Sequence, residues 1–179
     1  MKLPLVFIFL FASIFAQSSS AAAADEIFQF GDFALYVPAN VSSVRGIFLS
    51  LGGPDTRAFV TDGNFGAPSP KLEASLHILG QELRTIAAEK RLAILGVSRA
   101  AIESSSKSDK FILNAITEAA KKSNHSELES AALFIYGISG GTPEAAGFAV
   151  RNPDRVGALL LKVPAIPERL NDVKAIQVP

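Results

Sequence analysis

The chain of 179 residues contains no cysteine and only two histidines. Without cysteine there is no disulfide, and no thiolate to hold zinc or a cluster, so stability must come from burial of apolar side chains. The two histidines, His77 and His125, are too far apart in sequence to form a helical metal-binding pair. No metal site is expected. Net charge is absent as well, since 17 basic residues balance 17 acidic ones. That gives no support to a nucleic-acid partner. There is no G-x-G-x-x-G and no Walker loop, so neither a nucleotide nor any other cofactor is indicated.

Long apolar runs are scarce too. The longest, Leu3 to Ala16, is shorter than the roughly 20 residues of a membrane span. It follows Lys2 and precedes a small-residue stretch ending Ala22-Ala23-Ala24. This is the charged, apolar and small-residue order of a secretory signal peptide. Residues 1–24 are therefore expected to be a leader, cleaved near Ala24, and residues 25–179 a single exported domain, secreted or periplasmic, with no stable membrane span after cleavage.

Strand-like and helix-like segments alternate along that domain. "FALYVP" (33–38), "GIFLSL" (46–51), "LAILGVS" (92–98), "ALFIYG" (132–137) and "VGALLLKVP" (156–164) read as strands. Leu72, Leu76, Leu79, Leu83 and Ile86 recur at helical steps over 71–90. Phe111, Ile112, Ala115, Ile116 and Ala119 do so in a second helix, and Pro143 to Val150 forms a third, with proline in its first turn. Residues 61–70, rich in glycine and proline, read as irregular. A short helix or turn at 167–173 and an extended segment at 174–179 close the pattern. Strands separated by helices predict an α/β fold: three layers, a mostly parallel sheet with helices on both faces.

The informative feature is "GISGG", residues 137–141, between a strand and a helix. Gly137, Ser139 and Gly141 spell G-x-S-x-G. A sharp strand-to-helix turn strains the central residue and needs small neighbours two positions either side. It aims the serine oxygen out of the sheet and turns the following N–H groups toward a developing oxyanion. Ser139 is the candidate nucleophile and Gly137 and Gly141 the elbow glycines. A second loop, Leu51-Gly52-Gly53-Pro54, follows an earlier strand. Its Gly53 N–H, with that of Gly140, is the candidate oxyanion hole; Pro54 has no N–H to give. The plain alternative is a pair of glycine-rich turns. Asp55 and Arg57, beside this loop, read either as a solvated pair or as substrate contacts.

From the first of these strands to the C-terminus, about residues 33–179, the sequence resembles the N-terminal part of an α/β-hydrolase, the superfamily of esterases, lipases and peptidases. The strand ending Leu51-Gly52-Gly53-Pro54, the strand ending Gly137-Ile138-Ser139-Gly140-Gly141 and the run "NPDRVGALLLKVPA" carry the likeness. A histidine often precedes the two glycines in that family; here the position is Leu51. The resemblance implies a serine hydrolase acting on ester, thioester or amide bonds, with a small-molecule or polymeric ester as substrate. It also implies an acid and then a histidine after the nucleophile. Glu144, Asp154, Glu168 and Asp172 follow Ser139, but no histidine does. The family's acid and histidine would fall just beyond Pro179.

Three readings stay open: an inactive fragment of a longer hydrolase, an exported non-catalytic ligand-binding module on the same fold, and an unrelated short Rossmann-like domain. If the sheet stops here, the strand at 156–163 is left at an open edge, through which copies of the chain would associate.

Overall fold

A computed structural model describes residues 24–39, 41–52, 54–101 and 109–162. Residues 1–23 of the expected leader, Gly53 and the segments expected at 167–173 and 174–179 lie outside the described residues. Six strands form one sheet: β1 (Glu26–Phe30), β2 (Phe33–Val37), β3 (Gly46–Leu51), β4 (Leu92–Val97), β5 (Ala132–Ile138) and β6 (Val156–Lys162). Their spatial order is β1-β2-β4-β3-β5-β6. The pairings of β3 with β4, β3 with β5 and β5 with β6 are parallel; those of β1 with β2 and β2 with β4 are antiparallel.

Among the described residues the sheet is covered by α1 (Ala58–Thr61), α2 (Pro70–Lys90), α3 (Asp109–Ser123) and α4 (Thr142–Arg151). On one face Phe59 of α1, Phe65 of the segment between the helices and Leu76 of α2 pack against Ala34, Tyr36 and Ile94. On the other, α3 and α4 pack Ile112, Ile116 and Phe148 against Leu35, Leu49, Leu95 and Ile135. This is the three-layer α/β architecture expected. The near-continuous apolar runs of β3, β4 and β5 are explained by it, because a central strand is covered on both faces.

Two elements were not anticipated. β1 pairs with β2 through the two-residue loop Gly31-Asp32, where Gly31 has φ +51°, the left-handed conformation such hairpin loops ask of a glycine. Asp32 then accepts from the Ser98 hydroxyl at 2.8 Å and ties the hairpin to the end of β4. The second, α1, is a single turn between the loop after β3 and residues 62–69, which have no regular structure, as expected of that stretch.

Helix ends follow local chemistry. Ser69 caps α2, its hydroxyl accepting from the Leu72 N–H at 3.3 Å, with Pro70 in the first turn. Arg91 closes the helix in the left-handed conformation. The two helices of the other face are joined end to end. Asp109, the first residue of α3, accepts from Arg151, the last of α4, at 2.7 Å, and from Asn152 Nδ2 at 2.9 Å.

The hydrogen bonds of Arg151 hold the Asp109 carboxyl below its ordinary range, with burial opposing and Asn152 adding to the effect. A carboxylate depressed in the folded state stabilises the protein above its unfolded pKa, and that contribution is lost as pH falls through the folded value. The melting temperature is therefore expected to hold steady at mildly acidic pH and to fall below about pH 4. Asp109→Asn should lower the neutral-pH melting temperature and flatten part of that acid fall. Thermal unfolding across a pH series checks both, and an unchanged acid limb in the variant contradicts the assignment.

β6 is the outer strand on its side of the sheet among the described residues. Leu160 on it is 62% exposed.

Candidate functional site

The site lies where the C-terminal ends of β3 and β5 meet, the place at which open α/β sheets bind ligands. The two strands are hydrogen-bonded in parallel, with Ser50 opposite Tyr136 and Leu51 opposite Gly137. The glycine-containing turns that follow them are pressed together, Gly52 against Gly141.

Ser139 comes directly after β5 and opens a single tight turn, Ser139–Gly141, that runs into α4. Its φ is +50°, a left-handed backbone that a serine rarely adopts. Such strain persists only where the surroundings impose it. Here the Thr142 hydroxyl donates to the Ser139 carbonyl at 2.8 Å, and Thr142 itself is buried. The flanking glycines are sterically required. A Cβ on Gly141 would lie 2.2 Å from the Gly52 Cα and 2.3 Å from the Leu51 carbonyl oxygen. A Cβ on Gly137 would lie 2.7 Å from the Ala145 Cβ. Gly140 differs: a Cβ there meets no heavy atom within 4 Å. The turn thus has a left-handed serine, small neighbours two positions either side and a strand-to-helix setting.

The loop after β3 is fixed from below. Gly52 has φ +95° and backs directly onto Gly141. The Thr56 side-chain oxygen, fully buried, accepts from the Val97 N–H at 2.8 Å and lies 2.9 Å from the Ser50 carbonyl. This anchors the loop to both β3 and β4. Gly53, the candidate oxyanion donor, lies outside the described residues, so only the flanks of that donor position are described. Asp55 and Arg57 pair with one another at 2.5 Å. Neither lines the cavity at Ser139.

That cavity holds about 440 Å³, within the usual range for small-molecule sites. Ser139, Gly140 and Ile138 form its floor, and Leu72 and Leu76 of α2 one wall. Gly66, Ala67 and Pro68 form another wall, with Pro54, Arg99 and Glu144 completing it. Leu72, Arg99 and the 66–68 loop were not foreseen as site residues. The only signal for Leu72 was its place in the apolar stripe of α2, which reads equally well as core. No group of three or more potential metal ligands exists among the described residues.

The structure brings neither histidine to Ser139. His125 precedes β5 and so stands at the opposite end of the strand. Seven strand residues at about 3.3 Å each put it about 20 Å from Ser139. Its Nδ1 is 2.8 Å from Glu127, which also accepts from the Val44 N–H, two residues before β3. His77 lies on α2 but turns away from the cavity. Its ring packs edge-on against Phe65, with centroids 5.1 Å apart, and Nε2 is 3.4 Å from Glu73. Of the acids after the serine, Glu144 reaches the cavity. Asp154 sits in the turn before β6, and Glu168 and Asp172 lie outside the described residues.

A parallel-centred sheet wrapped by helices, with a left-handed serine between a strand and a helix, is the three-layer α/β arrangement that the sequence resemblance implies. Solved structures are similar to it in fold. A cold-adapted esterase from an Arctic intertidal metagenomic library is 12% identical over 78% of this chain and 60% of its own, with a TM-score of 0.44. A thermostable carboxyl esterase from Bacillus coagulans is 16% identical over 79% of this chain and 44% of its own, TM-score 0.39. The thioesterase domain from the curacin biosynthetic pathway is 17% identical over 84% and 51%, TM-score 0.39. The chain thus spans 60% or less of the length of each of these structures. No protein-family model matches the sequence, and no curated protein matches it. These likenesses concern the fold; what the site does rests on its own geometry.

Proposed function

We propose that the protein is an exported serine hydrolase of the α/β-hydrolase type, acting on ester, thioester or amide bonds with Ser139 as nucleophile. The observation that carries this is the Ser139 backbone: a left-handed serine, wedged between two glycines that accept no Cβ, opening onto a cavity. A plain βα turn has no need of that strain. In the reaction the Ser139 oxygen attacks the carbonyl carbon, and the proton leaves to a general base. The N–H groups of Gly140 and Gly53 stabilise the oxyanion, the leaving group departs, and water then releases the acyl group from Ser139.

The general base is neither His77 nor His125, and under this proposal it comes from outside the described residues. The substrate is a small-molecule ester whose apolar part lies against Leu72 and Leu76. The test is Ser139-dependent hydrolysis of an activated ester such as p-nitrophenyl butyrate, unchanged in His125→Ala and keeping most of its kcat in His77→Ala, which removes only the ring packed on Phe65.

Export is part of the same proposal and rests on the residue order of the leader alone. The N-terminus of protein recovered from periplasm or medium is expected near Asp25; an intact Met1 in the cytosol contradicts it.

A further inference from the structure

The cavity wall opposite Ser139 is a loop, and one side chain holds it. Residues 62–69 run without regular structure from α1 to α2, yet Gly66, Ala67 and Pro68 line the cavity. A surface loop with unpaired backbone groups would not keep a wall in place. Here three consecutive N–H groups are all engaged. The Glu73 carboxylate accepts from Phe65 at 2.7 Å and from Ala67 at 2.9 Å, one oxygen for each. Asn64 Oδ1 accepts from Gly66 between them, at 2.5 Å.

Glu73 stands in the first turn of α2, where a negative charge is favoured by the helix dipole. It is not used as a cap. Ser69 caps the helix, and the carboxylate is turned back onto the loop. The bonds from Ala67, and then from Phe65, hold it below its ordinary pKa, so it is ionised at neutral pH. Ionised, both its oxygens are acceptors, as two N–H donors require.

The contact extends further. Phe65 also accepts, through its carbonyl, the N–H of Asp55 at 2.9 Å. Asp55 belongs to the loop after β3 that contains the candidate oxyanion glycine. Phe65 is fully buried between Phe59 and the ring of His77, so it transmits position rather than yielding. Glu73 therefore reaches, through one buried residue, the two sides of the Ser139 cavity that no helix or strand supplies.

We propose that Glu73 is the positioning residue of this site: its carboxylate holds the 65–67 backbone as the cavity wall and, through Phe65, fixes Asp55 in the loop after β3. The proposal deepens the reading of the Ser139 cavity as a substrate site and rests on it. Its chemical consequence is selectivity. With the wall held, the cavity accepts an ester whose apolar group fits between the 66–68 loop and Leu72. With the wall released, that fit is lost while the elbow stays intact.

The experiment compares Glu73→Ala, Glu73→Gln and, as a control on an exposed face of the same helix, Glu82→Ala, each in the full chain. Hydrogen exchange of the Phe65 and Ala67 amides reads the wall directly. Kinetics with p-nitrophenyl butyrate read its effect on substrate. Binding of the apolar fluorophore 8-anilinonaphthalene-1-sulfonate in a Ser139→Ala background reads the cavity without catalysis. The expected result is loss of amide protection at Phe65 and Ala67 with the rest of α2 still protected. KM should rise about tenfold, more than kcat falls, and fluorophore binding should weaken alike. Glu73→Gln, which keeps one acceptor oxygen, should lie between, and Glu82→Ala should match the parent.

Unchanged protection at Phe65 and Ala67, or unchanged KM and fluorophore binding once protection is lost, overturns the proposal. If Glu73→Ala does not fold, the same readouts on Glu73→Gln decide it. If hydrolysis is absent throughout but exchange and fluorophore binding respond, Glu73 stands as the positioning residue of a binding cavity and the hydrolase reading falls.

Discussion

Gly141→Ala is expected to destabilise the protein by about 3 kcal/mol or more, while Gly140→Ala, one residue away, changes stability by no more than about 0.5 kcal/mol. The contrast follows from what an added methyl meets. At Gly141 it would overlap backbone atoms of Gly52 and Leu51 at 2.2 and 2.3 Å, and backbone cannot rotate aside as a side chain can. Relief requires the loop after β3 to separate from the turn after β5, breaking the contact that brings Gly52 and the Ser139 turn together. At Gly140 the methyl points into open space, and its φ is not positive. For a domain of this size the Gly141 change corresponds to a melting temperature lower by roughly 10 °C. Thermal unfolding of both variants checks it. Equal effects at the two positions would mean that the turns are not packed as described.

The second large effect is at Ser139 itself. In the hydrolase as proposed, with its base in place, Ser139→Ala should lower hydrolysis of p-nitrophenyl butyrate by on the order of 10³-fold or more. Stability should not fall, since alanine is no bulkier than serine and the Ser139 hydroxyl makes no bond that the fold depends on. Nucleophile and base act as a unit, so their effects do not add: where no base operates, removing the serine changes little. Under that condition the remaining rate is what an oxyanion hole and binding alone supply, roughly 10³-fold over water. A large Ser139 effect together with no comparable effect at His77 or His125 therefore reports a third, unidentified base. A fall in kcat on His77→Ala as large as that on Ser139→Ala, beyond what loss of packing on Phe65 gives, would mean that the α2 N-terminal region moves toward the serine on substrate binding.

How far the sequence discloses this depends on the range over which each feature is determined. β4, β5 and β6 are continuous apolar runs, and a run of that kind is local information. The elbow is equally local: a strand, G-x-S-x-G and a helix within twenty residues, with the left-handed serine following from the glycines. β1 was not anticipated, because Glu26-Ile27-Phe28-Gln29-Phe30 becomes a strand only by pairing with β2. A four-residue helix such as α1 has no period to detect. The 62–69 loop was recognised as irregular from its glycines and prolines, but not as a cavity wall. What makes it one is Glu73 reaching back over six to eight residues from a helix whose own pattern gives no reason to suspect it. No acid and base are legible for a different reason: the resemblance implies an acid and then a histidine after Ser139, and the sequence has no histidine there.

The central claim is that the Ser139 oxygen is the attacking atom. Its most direct test is covalent trapping: the full chain is incubated with a small alkyl fluorophosphonate, digested, and the modified residue located by mass spectrometry. The account predicts a phosphonyl group on Ser139 alone, absent from Ser139→Ala and formed more slowly in Gly141→Ala. Ser50 and Ser98, though buried close by in neighbouring strand ends, should remain unmodified. Phosphonylation spread over exposed serines with no preference for Ser139, or its complete absence from Ser139, would contradict the account.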